Sequence, residues 1–117
     1  MHFKLTGPFK PYVRMTRRGK FASMPAQEYL ASQERLAWQF KQQCNGSAMP
    51  PKTPLAVRIC IQSPWPNHHS DLDNAIKALL DSAQQAGVIP NDMWIDSLQA
   101  RREFGATDCV EFEVIPA

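Results

Sequence analysis

Cysteine is scarce in this chain. Its three residues, Cys44, Cys60 and Cys109, are far apart and odd in number. They form no C-x-x-C pair and no zinc-ligand pattern, so they read as reduced thiols rather than as a disulfide framework or a zinc site. Cys60 lies in an apolar run and is expected in the core. No apolar stretch approaches the length that a membrane span needs. The first fifteen residues hold charges and two prolines in place of an apolar core, so no secretory leader is expected. A soluble, cytoplasmic protein is expected. There is no internal repeat and no low-complexity tract. Net charge is almost lacking too: thirteen Lys and Arg face eleven Asp and Glu, a formal +2. That total does not argue for a nucleic-acid partner.

The distribution of charge says more. Residues 1–20 contain Lys4, Lys10, Arg14, Arg17, Arg18 and Lys20 and no acid, whereas acids concentrate at 71–113. A basic arm with an acidic centre suits an enzyme that grips a polyanion and cuts it with a metal. The length, 117 residues, fits one domain spanning 1–117. Hydrophobic residues at 44% and charged residues at 21% are ordinary for a globular protein. A domain this small buries a modest share of its surface, so a dimer partner would help its stability.

Residues 2–6 alternate and read as a short strand closed by Gly7-Pro8. Residues 7–22, with two prolines, two glycines and many cations, read as a loop or arm. A helix is expected over 25–43, capped by Ser23, with Pro25 in its first turn where a missing N–H costs little. Its apolar face is Tyr29, Leu36 and Phe40, with Leu30, Ala37 and Trp38 beside them. Residues 45–54 form a connector. From Leu55 to Gln62 the chain alternates as a strand, and the proline-rich stretch from Ser63 to His69 cannot continue it. A second helix runs from about Asp71 to Ala86, stopped by Gly87, which tolerates the left-handed conformation. Residues 88–92 read as a tight turn. Residues 93–103 and 109–115 read as two strands joined by 105–108, close enough in sequence to suggest a hairpin. The sum is an α+β domain, a small mixed or antiparallel sheet packed against two helices.

The run Ser70-Asp71-Leu72-Asp73-Asn74 stands where a loop meets a helix. Two carboxylates one residue apart can point to the same side there, and Mg²⁺ takes one or two such hard oxygen ligands from protein. Asp92, in the turn after the helix, is a third carboxylate. It reaches the pair only if the next strand lies back alongside, or if a neighbouring subunit supplies it. Lys77 follows Asp73 by four residues on the same helical face, where it can stabilise charge developing on a phosphate. A purely structural reading stays open: Ser70 and Asp73 resemble a capping box, and Asp73, Lys77 and Asp81 an ordinary surface ladder.

These residues, in this order, resemble the RusA-type Holliday-junction resolvases: Asp71-Leu72-Asp73-Asn74, Lys77, Asp81, Gly87, then Asn91-Asp92 leading into a strand. The preceding strand and proline-containing loop match in position, as does the arm with Arg14, Arg17, Arg18 and Gly19. The resemblance covers most of the chain. It implies a RusA-like, homodimeric endonuclease, often phage- or prophage-encoded, that binds four-way or branched DNA and nicks two opposed strands. It implies Asp71, Asp73 and Asp92 as metal ligands and catalytic acids, Lys77 as a catalytic lysine, and Mg²⁺ as cofactor, with Mn²⁺ as a substitute. One departure stands out. Where relatives can carry arginines before the acid pair, this chain has Pro66-Asn67-His68-His69-Ser70, so DNA grip shifts toward Lys10, Arg14, Arg17, Arg18 and Lys20. His68 and His69 either touch phosphate and assist proton transfer or are solvated loop residues. Two rival functions remain: a non-catalytic junction-binding or regulatory protein of the same fold, and a nuclease for flaps or forks.

Overall fold

The computed structural model describes residues 1–7, 24–64 and 71–117. Its elements are β1 (His2–Thr6), α1 (Met24–Cys44), β2 (Leu55–Ser63), α2 (Leu72–Gln85), a 3₁₀ turn (Asp92–Trp94), β3 (Ile95–Phe104) and β4 (Cys109–Pro116). The four strands form one mixed sheet in the order β1-β4-β2-β3, antiparallel except for the parallel pair β2 and β3. The α+β expectation holds. No helix among the described residues is long and apolar enough to cross a membrane.

Alternation builds the core. Leu55, Val57, Ile59 and Ile61 of β2, Phe3 and Leu5 of β1, and Val110, Phe112 and Val114 of β4 point to one face and are buried there. Helices α1 and α2 cover that face with Leu36, Phe40, Leu79 and Ala83. Burying a large aliphatic or aromatic side chain contributes about 1.5–3 kcal/mol, so this layer is the main source of stability. At its centre the rings of Phe3, Phe40 and Phe112 meet edge to face, with centroids 5.0 Å apart for Phe3–Phe40 and Phe40–Phe112 and 6.2 Å for Phe3–Phe112. The three tie β1, α1 and β4 together, each contact adding about 0.5–1.5 kcal/mol beyond burial. The opposite face of the sheet carries Lys4, Arg58, Gln99, Arg101, Glu111 and Glu113, and no described helix packs on it.

Helix α2 ends as its glycine demands. Gly87 has φ +81°, Gly87 N–H donates to Gln84 O (3.0 Å) and Val88 N–H donates to Ala83 O (3.0 Å). This closes the orphan carbonyls of the last turn.

Three expectations are corrected. The hairpin of residues 93–103 and 109–115 does not form, because β2 lies between β3 and β4 and pairs with both. The physical reason is that β2, with the most regular apolar alternation, takes the central place, and the α2 crossover returns β3 parallel to it. Residues 105–108 then bridge over the end of β2, where a Cβ on Gly105 would run into the Gln62 side chain. The chain bends at 88–90 within the expected turn, and Val88 and Ile89 there are fully buried. Trp38 is 60% exposed rather than part of the α1 core face, since that face turns through Leu36, Ala37 and Phe40 instead. Cys60 is only partly buried. It lies on the open face, where Arg101 Nε donates to its Sγ at 3.5 Å.

Candidate active site

Strand β2 runs toward the start of α2, and Asp71 occupies the N-cap position with extended backbone, φ −65° and ψ 151°. Its carbonyl accepts the first helical bond, from Ala75 N–H at 3.1 Å. Its carboxylate makes no capping bond, so the acid is not consumed by the helix as a cap commonly is. Asp73 lies in the first turn, and both carboxylates are exposed. The partial positive charge of the helix start favours the two anions there. Lys77 is exposed one turn further on. Asp81, next in the row, accepts a hydrogen bond from the Tyr29 hydroxyl of α1 at 3.3 Å. The row therefore begins in solvent and ends in a helix–helix contact.

Asp92 opens the 3₁₀ turn. Asn91 caps that turn by accepting from Met93 N–H at 3.0 Å. Gln84, near the C-terminal end of α2, accepts from Asp92 N–H at 3.3 Å through Oε1, while its Nε2 donates to Leu80 O at 3.4 Å. Both halves of the Gln84 amide are thus used, and they pin Asp92 to the far end of α2. At 1.5 Å of rise per residue, that end lies about 20 Å from Asp71 along the helix axis. Within one protomer, then, Asp71 and Asp73 sit together and Asp92 sits a helix length away. Consistently, no group of three or more His, Cys, Asp or Glu side chains among the described residues is placed to hold a metal. Gln84 was not singled out by sequence reasoning. Its only signal was a polar residue one turn before Gly87, which many surface glutamines share.

Lys10, Arg14, Arg17, Arg18, Lys20, His68 and His69 lie outside the described residues, as do the proposed Ser23 cap and Ser70.

A sheet whose central strand leads into a helix start bearing two uncommitted carboxylates, with a lysine one turn on, has the chemistry of proteins that handle phosphate esters. The family model described as Endodeoxyribonuclease RusA matches residues 6–115. The chain belongs to the RusA endodeoxyribonuclease family, as the sequence resemblance indicated. Comparison with curated proteins finds no match.

Proposed function

We propose that this protein is a homodimeric, Mg²⁺-dependent endonuclease that resolves four-way DNA junctions, and that each of its two sites is shared between protomers. The observation that carries this reading is the separation of the acids along α2. Asp71 and Asp73 stand at its start and Asp92 beyond its end, fixed there by Gln84. A two-fold axis across the middle of α2 exchanges the ends, so it brings Asp92 of one chain toward Asp71 and Asp73 of the other, twice. Two equivalent sites are what paired nicking of opposed strands requires.

The donor set fits a hard divalent ion. Asp71 and Asp73 offer exposed carboxylate oxygens that no cap occupies, and Mg²⁺ accepts one or two such ligands from protein. Asp92 of the second chain would complete the set, and Mn²⁺ would substitute. A divalent ion held there would polarise the phosphate and make an attacking water more acidic. The chain's own part is to orient and to neutralise. The Asp71–Asp73 pair marks where the scissile phosphate comes to rest. The Lys77 ammonium, one turn on, stabilises the extra negative charge as the water oxygen bonds to phosphorus and the bond to the 3′ oxygen breaks. The products are a 5′-phosphate and a 3′-hydroxyl. Lys10, Arg14, Arg17, Arg18 and Lys20, with His68 and His69, would hold the phosphates of the junction arms, a grip that weakens steeply with salt.

The test is complementation. Asp73→Asn and Asp92→Asn chains, each alone, should fail to cut a synthetic junction in Mg²⁺ while still binding it. Co-expressed with different tags and purified as the mixed dimer, they leave one site intact, so single-strand nicking should return to roughly half the wild-type rate. If the mixed protein stays inert while both chains bind the junction, the shared site is wrong. Forked and linear duplexes run in parallel report whether the substrate is a four-way junction.

A further inference from the structure

Helices α1 and α2 pack against each other, and one polar contact between side chains crosses that seam: the Tyr29 hydroxyl of α1 donates to Asp81 Oδ2 of α2 at 3.3 Å. Tyr29 is 3% exposed and Asp81 is half-buried. The buried hydroxyl next to Asp81, that of Ser82, is spent inside α2 by donating to Ala78 O at 2.8 Å. A buried phenol commonly finds a hydrogen-bond partner. Here the partner is a carboxylate of another helix. At 3.3 Å the bond is long, so it steers the carboxylate more than it stabilises the fold.

What Asp81 faces gives that steering a purpose. Asp73, Lys77 and Asp81 recur every four residues on α2, so they form one strip with about 6 Å of rise between neighbours. Helical side chains lean toward the N-terminus of their helix. The Lys77 stem therefore leans toward the turn of Asp73, and the Asp81 carboxylate leans toward the turn of Lys77. Asp71, Asp73 and Lys77 are exposed, whereas Asp81 is anchored from α1. An acid in an ordinary surface ladder needs no anchor on a second helix.

We propose that Tyr29 and Asp81 are a positioning pair for Lys77: the Tyr29 hydroxyl fixes the Asp81 carboxylate, and that carboxylate holds the Lys77 ammonium on the strip that leads to Asp73. Neither residue touches substrate. The inference rests on the reading of Lys77 as the group that stabilises charge on the phosphate. In that reading Asp71 and Asp73 are committed to a divalent ion, and a cation repels an ammonium. Asp81, about 12 Å of rise beyond Asp73, stays free of that ion and serves as the counter-charge of Lys77. A lysine on a flexible four-carbon stem is costly to hold in one place, and a fixed anion behind it lowers that cost before the junction binds.

Single-turnover cutting of a saturating four-way junction by the full chain tests the pair. Tyr29→Phe removes one oxygen from the seam and should slow cutting about threefold. Asp81→Asn keeps an acceptor for Tyr29 and removes the charge, and should slow cutting about tenfold or more. Both should bind the junction as the unaltered chain does. Placed in a Lys77→Ala chain, each change should cost less than about a further twofold, because it acts through a group already gone. A merely structural pair would slow both backgrounds by the same factor, and that result overturns the proposal. Full-rate cutting by either single variant does so too. A second reading depends on neither cutting nor variant folding. Carbon relaxation at Lys77 Cε in the unaltered chain, without DNA or metal, should show a more ordered side chain than Lys41, which is exposed on α1. Equal freedom at the two lysines overturns the pair. Lys77→Ala that cuts at full rate sinks the role of Lys77 and the pair with it. A crippled Lys77→Ala beside fully active Tyr29→Phe and Asp81→Asn sinks the pair alone.

Discussion

Helix α1 packs on β1 and closes that strand's edge with Gln39 and Gln43, whereas α2 packs beside β3 and leaves that edge without a strand partner among the described residues. The sheet edge under α1 is finished. Among its described residues the outward peptide groups of Lys4 and Thr6 are satisfied and the aromatic cluster is buried. The second half holds every acid proposed for chemistry, and it presents them unfinished, two at one end of α2 and one at the other. A small domain can afford an open edge only where pairing is useful, since an unpaired strand otherwise invites aggregation. Among the described residues, the contrast separates an edge closed for stability from the side that carries the proposed chemistry.

Substitutions can sharpen or break that contrast. The largest effect is expected on the α2 side. Lys77→Ala should lower the single-turnover cutting rate by about 10²–10³-fold, the usual cost of removing one charge-stabilising donor, with junction affinity little changed. If the rate holds, Lys77 belongs to a surface ladder and the contrast loses its catalytic half. On the α1 side the double change Gln39→Ala with Gln43→Ala should leave the cutting rate intact. It should cost roughly 1–3 kcal/mol in urea denaturation, because five exposed hydrogen bonds, four to the β1 backbone and one from the Thr6 hydroxyl, are exchanged for bonds to water. It should also unseal the β1 edge and raise light scattering at high concentration. A stable, non-associating double variant would show that the glutamines do not guard the edge. The smallest effect belongs to the glycine that ends α2. Gly87→Ala should cost about 1 kcal/mol through the left-handed backbone alone, since nothing lies within 4 Å of where the new Cβ would stand. A cost near zero would mean that the helix end can relax, and with it the placement of Asp92.

Much of the fold was legible in the sequence. The alternation of Leu55, Val57, Ile59 and Ile61 announced a half-buried strand, and Gly87 announced a helix stop. Both hold. The hairpin did not hold, because proximity in sequence says nothing of which strand lies between two others. Trp38 misled for a related reason: hydrophobicity marks a residue as able to be buried, but the rotation of α1 on the sheet decides whether it is. At the site, the acid pair and Lys77 were legible because helix periodicity places residues four apart on one face. Gln84 was not, since its hydrogen bond to Asp92 joins two elements whose relative position comes from packing.

By itself the sequence determined the local matters: which segments alternate, where α2 begins and ends, and that two carboxylates share its start. These follow from backbone sterics and side-chain period, which act over a few residues. Tertiary structure alone decided that β2 stands between β3 and β4, that glutamines seal one edge and not the other, and that Asp92 lies a helix length from Asp71. Those are outcomes of packing one apolar face against two helices, where the burial of residues distant in sequence sets every position at once.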